Sequence, residues 1–285
     1  MPEIYTPTYD EVRLFIEVVR SISNYNFSNY SIKSFSRRIE KVMSDYNIED
    51  IEDLIVKVIN NKKFLDKVVK NITVNTTEFF RDPEMWIELI SLIDNYLSDK
   101  EKIYIWHAGC STGQEVYSMI ILLDQLGLLD KSEIYGTDLN EDVLNIAKNG
   151  EYRYKEIMDY RQNFEEVVKY LPEQITLEKY FFIDEKRSII KAKPSILGKA
   201  TFLKHDLVND GNVFGKKFDL IMCRNVMIYF DTFLQDKLFN FFYQNLTDEG
   251  ILVLGKHEGM LGDIALRFKR ENGFYIKKSS HYNDW

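Results

Sequence analysis

The sequence has few residues of the kinds that build disulfides or metal sites. Among its 285 residues there are two cysteines, Cys110 and Cys223, and four histidines. Both cysteines stand in apolar, strand-like contexts, which is typical of small core residues in a reducing compartment and argues against a disulfide framework. The histidines are scattered along the chain, so the sequence predicts no zinc cluster and no metal site.

Long apolar runs and an excess of positive charge are also missing. No apolar run reaches the length of a membrane-spanning helix, and the first residues do not form a signal-peptide pattern. We therefore expect a cytoplasmic protein that does not insert into a membrane. The net charge of −8 at pH 7 argues against general nucleic-acid binding. A hydrophobic share of 45% with a charged share of 29% indicates a globular protein with a full core.

The negative charge is unevenly placed. Residues 1–75 hold eleven Lys and Arg against eleven Asp and Glu, so the remaining 210 residues carry the whole net charge. The apolar spacing between residues 9 and 70 predicts a bundle of four short helices. On the second helix, Lys33, Arg37 and Lys41 recur every four residues and so share one face. This cationic stripe is either a solvated helix face or a docking surface for an acidic partner.

The rest of the chain is organised around a strand, a loop with two glycines, and a helix. The apolar run 103–108 predicts a buried strand, and the apolar positions from Val116 onward have helical spacing. Such a unit opens nucleotide-binding α/β sheets. A second strand ends at Asp138, which lies 25 residues after Gly113, and an acid at about this place binds ribose hydroxyls in that fold. The sequence therefore predicts a Rossmann-like α/β domain.

The loop between this strand and this helix has several interpretations. Ser111 replaces the second glycine of the G-x-G-x-x-G pattern, which disfavours a nicotinamide site. The loop matches the G-x-S-x-G elbow of serine hydrolases, with Ser111 as nucleophile and His257 or His205 as base, although such elbows follow several strands. An S-adenosylmethionine (SAM) site accepts a looser loop because there is no pyrophosphate to bind. A plain strand-to-helix turn without a ligand also explains it.

Polar residues recur just after the C-terminal ends of four predicted strands. They are Ser111 and Glu115 after the first strand, Asp138 after the second, Asp206 after the third, and Arg224 and Asn225 after the fourth. Ligands of open α/β sheets bind along that edge. The repetition of this placement favours a ligand site over four unrelated loop residues.

We divide the chain into a helical domain, residues 1–73, and an α/β domain, residues 74–285. Two short strand patterns around a charged turn predict a small antiparallel hairpin subdomain at about residues 176–200. Segment 75–83 joins the two domains and has two interpretations. It is either a helix-capping linker packed by its two phenylalanines, or a lid that places Asn75, Thr77 and Arg81 over a site.

Three segments resemble the motifs of the chemotaxis receptor methyltransferases, the CheR family. They are Asn75-Thr76-Thr77-Glu78-Phe79-Phe80-Arg81, Ser111-Thr112-Gly113-Gln114-Glu115-Val116-Tyr117-Ser118, and Cys223-Arg224-Asn225-Val226-Met227-Ile228-Tyr229-Phe230-Asp231. The resemblance extends from the helical domain to the last strands. It implies a class I methyltransferase fold and an enzyme that methylates glutamate side chains on the cytoplasmic helices of receptors. It also implies SAM as methyl donor, S-adenosylhomocysteine (SAH) as product, and a monomer.

The resemblance also implies residue roles. Asn75, Thr77 and Arg81 match linker residues that close over SAM, Glu115 the carboxylate near its amino group, and Asp138 the ribose acid. Asp206 and Leu207 match residues that flank the adenine, and Arg224 and Asn225 match the pair after the central strand. Arg81 and Tyr229 match residues beside the transferred methyl group and are the expected catalytic residues. Their presence favours an enzyme over the alternative of a non-catalytic module that senses SAM or binds receptors. A methyltransferase of the same fold with another substrate is the second alternative.

Two segments depart from the family pattern. Lys256-His257-Glu258-Gly259 stands where the family often has Gly-His-Ser-Glu, so the sequence assigns no role to this loop. The charged turn at residues 184–187 lacks the glycines of members that bind a tethering peptide at the receptor C-terminus. The sequence therefore gives no support for tether binding.

Overall fold

The computed structural model of the chain describes residues 5–23, 25–73 and 77–279, and for residues 154–160 it describes the backbone only. The chain divides into two compact units, one comprising Met1–Val74 with Val226–Lys237 and the other comprising Asn75–Asn225 with Leu238–Trp285. None of the helices in the described ranges has the length and apolar character needed to cross a membrane.

The first unit contains four helices, each with one apolar face. They are α1 (Tyr9–Ile22), α2 (Ile32–Asp45), α3 (Ile51–Asn60) and α4 (Lys62–Ile72). A capping box begins α1, in which Thr8 Oγ1 accepts from the Glu11 N–H and the Glu11 carboxylate accepts from the Thr8 N–H. The buried faces of the four helices meet around Phe15 and Phe35, whose ring centroids lie 6.3 Å apart.

A short segment from later in the chain packs on this helical unit. It contains the 3₁₀ helix Met227–Tyr229, whose last carbonyl accepts a hydrogen bond from the Ser31 N–H at 2.8 Å. The Tyr30 and Phe230 rings meet edge to face, with centroids 5.1 Å apart. The contacts therefore group residues 226–237 with the helical unit.

The second unit is built on two sheets and further helices. Its strands are β1 (Ile103–Ala108), β2 (Ser132–Asp138), β3 (Glu151–Arg153), β4 (Phe181–Asp184), β5 (Ile189–Ala192), β6 (Ala200–Lys204), β7 (Phe218–Cys223), β8 (Leu246–Leu254), β9 (Phe268–Glu271) and β10 (Phe274–Lys277). The remaining helices are α5 (Pro83–Leu97), α6 (Gln114–Gln125), α7 (Glu141–Asn149), α8 (Tyr154–Val168), α9 (Leu177–Tyr180) and α10 (Thr232–Asn245), of which α10 begins in the segment grouped with the first unit.

The larger sheet has seven strands in the order β6-β2-β1-β7-β8-β10-β9. The first five are parallel, and β10 and β9 return antiparallel. From β1 the chain adds strands first on one side, through β2 to β6, and then on the other, through β7. The C-terminal ends of β1 and β7 therefore flank a topological switch point, where open α/β sheets bind their ligands. The predicted Rossmann-like α/β fold is confirmed.

The smaller sheet is antiparallel and has the order β3-β5-β4. The predicted hairpin corresponds to β4 and β5, which pair from Phe181↔Ala192 to Asp184↔Ile189. Strand β3 completes the sheet by pairing with β5 and was not predicted. The hairpin is thus part of a three-stranded subdomain that begins before residue 176.

Side chains along β1 alternate between the two faces of the sheet. Trp106 packs on one face, where its ring lies 5.4 Å from Phe218 and 5.6 Å from Phe242. Ile103 and Ile105 point to the other face and belong to the core formed with α5 and α6. His107 follows them on that second face and is fully buried.

Candidate functional site

The loop after β1 is anchored to the end of β2. The N–H groups of Gly109 and Cys110 both donate to the Thr137 carbonyl at 2.8 Å. Gly113, with φ +90°, precedes the first turn of α6, and a Cβ there would lie 2.7 Å from Ala147 Cβ. Glycine is needed at this position because a side chain would strain the backbone and also collide with α7.

Asp138 ends β2 beside this loop, as the sequence predicts. Its Oδ2 accepts from the Ser111 N–H and its Oδ1 accepts from the Asn140 N–H, both at 2.9 Å. Burial raises the pKa of Asp138, and these backbone hydrogen bonds oppose that effect. Each carboxylate oxygen can accept a second hydrogen bond, so the half-buried Asp138 keeps capacity for a pair of hydroxyl groups.

Glu115 lies in the first turn of α6 and is held by two side chains. Oε1 is 2.8 Å from His107 Nδ1, and Oε2 accepts from Arg224 Nη1 at 3.1 Å. Burial alone would raise the pKa of Glu115, but the hydrogen bond from His107 and the charge of Arg224 outweigh it and lower the pKa. Glu115 is therefore an ionised carboxylate at the switch point of the sheet.

Arg224 follows β7 and connects Glu115 to the start of α5. Its Nη2 donates to the Arg81 carbonyl at 3.0 Å and to Asp82 Oδ2 at 2.6 Å. Only 2% of the Arg224 side chain is exposed, and its Nε has no partner within the described part of the chain. A buried guanidinium shared between two carboxylates gives this site a fixed geometry.

The segment that carries Arg81 is held in an unusual backbone conformation. Phe80 and Asp82 have φ of +49° and +57°, which residues other than glycine rarely adopt. The Phe80 N–H donates to Ser118 Oγ at 2.8 Å, and Trp86 Nε1 donates to the Arg81 carbonyl at 3.1 Å. The surrounding contacts thus compensate for local strain, which is a pattern common at functional sites.

Both phenylalanines of this segment are buried in the second unit. The Phe79 ring meets Tyr152 and Phe181 edge to face, with centroids 5.4 and 5.2 Å away. The Phe80 ring meets Trp86 at 5.3 Å. The segment is therefore packed by its aromatic pair and also presents the half-buried Arg81 beside the Arg224 network. The packing by the two phenylalanines agrees with the first interpretation from sequence, and the lid interpretation stays a prediction.

The loop after β6 is shaped by Asp206. Its Oδ1 accepts from the Val208 N–H at 2.8 Å, and its Oδ2 accepts from Asn209 Nδ2 at 2.7 Å. The carboxylate thus stabilises the turn in which it lies, and the half-buried Leu207 is the next residue of that turn. Any contact of this loop with a ligand would depend on that turn, because Asp206 fixes its backbone.

Asn225 is held by the loop to which the sequence assigns no role. Glu258 Oε2 accepts from the Asn225 N–H at 2.8 Å and from the Gly255 N–H at 2.7 Å. Asn225 has φ +60°, and a Cβ on Gly255 would lie 2.7 Å from Glu258 Oε2. Glu258 therefore joins the ends of β7 and β8 and fixes the strained backbone that follows Arg224.

The predicted site residues fall in both units. Glu115, Asp138, Arg81 and Arg224 lie in the second unit, three of them in one hydrogen-bonded network. Tyr229 belongs to the helical unit, where the Arg38 guanidinium lies 4.6 Å above its ring.

Asn75 and Thr77 are the other two linker residues predicted to bind the cofactor. Asn75 lies outside the described residues, so its predicted role stays a prediction. Thr77 is described and half-buried.

Three members of the site were missed from sequence: His107, Asp82 and Glu258. His107 left one signal, because it is a polar residue in the otherwise apolar alternation of Ile103 and Ile105. The sequence gives no such signal for Asp82 and Glu258, since their hydrogen-bond partners lie 142 and 33 residues away along the chain.

The hydrolase interpretation of the loop is wrong. Ser111 Oγ is buried and has no hydrogen-bond partner among the described residues, so no histidine activates it as a nucleophile. The ring of His205 instead contacts the Gly211 carbonyl through Nε2 at 3.1 Å.

Comparison with known proteins gives consistent matches. Residues 75–273 match the family model described as "CheR methyltransferase, SAM binding domain", and residues 10–73 match "CheR methyltransferase, all-alpha domain". A Pseudomonas putida protein named putative methyltransferase Cher3 is 33% identical over 250 residues, which cover 88% of this chain and 89% of that protein. Chemotaxis protein methyltransferases of Borreliella burgdorferi and Listeria monocytogenes are 30% and 28% identical, with coverage of 92% of this chain in both cases and of 92% and 95% of the relatives.

Proposed function

This chain belongs to the CheR methyltransferase family and is a SAM-dependent methyltransferase, and we propose that its methyl acceptors are glutamate side chains of chemotaxis receptors. The observation that carries this proposal is the network in which Arg224 joins Glu115 to the segment of Arg81. The network links Glu115, a carboxylate suited to the cofactor, with the segment of Arg81, a cation suited to the acceptor carboxylate. The receptor helices that bear the acceptors are cytoplasmic, and so is the proposed enzyme.

The residues present fit SAM. Glu115 is ionised and suits an ammonium group, Asp138 has spare acceptor capacity for ribose hydroxyls, and the buried Ser111 Oγ has a free hydrogen-bonding capacity. We assign the amino-acid part of SAM to Glu115 and Arg224 and the ribose to Asp138. The remaining proposed cofactor contacts are Asn75, Thr77, Arg81, Asp206, Leu207 and Asn225.

The proposed methyl transfer does not need a strong acid or base. SAM supplies an electrophilic methyl group, and the acceptor carboxylate is already ionised at pH 7. No general base is therefore needed, and catalysis rests on alignment and on exclusion of water. We propose that Arg81 steers the acceptor carboxylate and that the Tyr229 hydroxyl orients it. Both residues have to bind the acceptor carboxylate weakly, since tight binding of the ground state would slow the reaction.

We propose that the receptor docks through the cationic stripe formed by Lys33, Arg37 and Lys41. All three side chains are exposed on α2, on the side away from the buried Phe35 and Ile39. Lys33 and Arg37 also line an open surface groove between α1 and α2, together with Glu40. A helix rich in glutamate suits this surface, while the other residues of the chain carry the net negative charge.

Incubation of the purified chain with methyl-labelled SAM and a cytoplasmic receptor fragment tests the proposal. Methyl esters hydrolyse in mild alkali, so label released by alkali from the fragment supports glutamate methylation. Binding of SAM without any transfer to the fragment would contradict it.

A further inference from the structure

We propose that His107 is a positioning residue that holds Glu115 in place for the ammonium group of SAM. The inference rests on the proposed cofactor role of Glu115 and extends it to a residue with no assigned function. His107 does not reach the cofactor in this account. It acts through the Glu115 carboxylate.

The position of His107 suits this task. It follows Ile103 and Ile105 on the face of β1 that packs against α5 and α6, and it is completely buried. An apolar residue would continue the core at this place at no desolvation cost. The imidazole instead places Nδ1 2.8 Å from Glu115 Oε1. A buried polar side chain on an apolar face, with a single partner among the residues that the structure describes, indicates that the partner is the reason for it.

The charge of Glu115 fixes the tautomer of His107. Because Glu115 is ionised, it only accepts hydrogen bonds, so His107 Nδ1 carries the hydrogen. His107 Nε2 is buried and has no partner in the described ranges. His107 Nδ1 is therefore the donor in this contact, and the role of His107 is to orient Glu115.

The two oxygens of the Glu115 carboxylate are held by different side chains. Arg224 donates to Oε2 and supplies a positive charge, while His107 Nδ1 lies beside Oε1. Each oxygen keeps one more acceptor position, so an ammonium group can still bind. A lysine or arginine in place of His107 would repel that ammonium. The pair thus fixes the carboxylate geometry and preserves its attraction for a cation.

Calorimetry with two ligands tests this role. SAH contains the amino-acid group, whereas 5′-methylthioadenosine has the adenosine part and lacks the ammonium. His107→Leu removes the donor, and we expect SAH binding to weaken about tenfold with 5′-methylthioadenosine binding unchanged. His107→Asn can place its amide N–H near the position of Nδ1 and should restore most of the SAH affinity. His107→Phe keeps a ring of similar shape and replaces the Leu variant if that one does not fold.

Two further variants separate the possible outcomes. Ile105→Val lies on the same face of β1 and loosens the core without touching Glu115, so its ratio of affinities for the two ligands should equal that of the parent. Glu115→Gln should weaken SAH selectively. If Glu115→Gln weakens SAH binding selectively and His107→Leu does not, the positioning role of His107 is overturned and the cofactor role of Glu115 stands. If Glu115→Gln leaves SAH binding unchanged, both are overturned.

Discussion

Arg224 Nη1 donates to Glu115 Oε2 across 3.1 Å and so joins the end of β7 to the first turn of α6. Both side chains are largely buried, at 2% and 15% exposure. Removing one partner of a buried ion pair leaves the other charge uncompensated, which costs about 3–5 kcal/mol. The pair therefore couples the stability of the unit to the geometry of the cofactor site.

The first prediction concerns this pair. Arg224→Met should lower the free energy of unfolding by about 3–5 kcal/mol and weaken SAH binding, because Glu115 loses its cation. Denaturant unfolding and calorimetry measure the two effects. Lys186→Met, at an exposed cation in the turn between β4 and β5, is the control and should change stability by less than about 0.5 kcal/mol. Equal effects of the two substitutions would contradict the role given to Arg224.

The second prediction concerns pH. Glu115 has a pKa below its usual value of 4.5, so the folded state holds its proton less tightly than the unfolded state does. This contribution is present above pH 4.5 and is lost as the pH falls through the lower folded-state pKa. Denaturant unfolding from pH 6 downward should therefore show a steeper loss of stability in the parent than in Glu115→Gln. Parallel curves for the two proteins would contradict this.

The third prediction concerns Asp138. Asp138→Ala should weaken SAH binding by about 1.5–3 kcal/mol, the range for hydrogen bonds to a charged group. It also removes the acceptor of the Ser111 N–H, so Asp138→Asn, which keeps one oxygen, is measured beside it. Unchanged calorimetric affinity in both variants would exclude Asp138 as the ribose acid.

The fourth prediction concerns Glu258. Glu258→Ala leaves the Asn225 and Gly255 N–H groups without their acceptor and should destabilise the protein by about 1–3 kcal/mol. Gly255→Ala should also destabilise the protein, because the new Cβ would lie 2.7 Å from Glu258 Oε2 and 2.9 Å from the Asn225 backbone N. Thermal unfolding measures both. Unchanged stability of Glu258→Ala would contradict the role given to Glu258.

The fifth prediction concerns the cationic stripe. Changing Lys33, Arg37 and Lys41 to Glu should raise the KM for receptor fragments and leave SAH affinity unchanged. Each exposed contact is worth only about 0.2–1 kcal/mol, so the effect should be collective and should weaken with salt.

The matched control for the stripe changes Lys62, Lys63 and Lys67 of α4 to Glu. These exposed residues lie in the same helical unit and give the same change in charge. If both triple variants raise KM equally at low salt, the effect is one of net charge and the stripe is an ordinary solvated face.

The parts of the fold that could be predicted are those with strong local patterns. The run Phe218–Cys223 is apolar except for Asp219, which is typical of a central parallel strand, and β7 is the fourth of the seven strands. Strand β3 has three residues, of which only Tyr152 is buried, so it is too short to show an alternation of apolar and polar residues. Strand β9 is polar after Phe268 and pairs only with β10. The turn Asn272-Gly273, with φ of +48° and +86°, was a hairpin signal that could have revealed it.

The candidate site was predictable where residues follow strands and not where they meet across the sequence. Glu115, Asp138 and Arg224 each follow a strand end, and that placement alone predicted a shared edge. The contact of Arg224 with Asp82 depends on how α5 packs, which no local pattern encodes. The left-handed backbone at Phe80 was also unpredictable, because tertiary contacts hold it against its own preference.

The identity of the methyl acceptor is tested most directly by mapping the products. A receptor fragment is incubated with SAM and the chain, digested, and analysed by mass spectrometry before and after mild alkali. We predict methyl groups on glutamate side chains that alkali removes, and no transfer to a fragment whose mapped glutamates are replaced by glutamine. Alkali-stable methyl groups on other residues, or equal transfer to the substituted fragment, would contradict glutamate methylation.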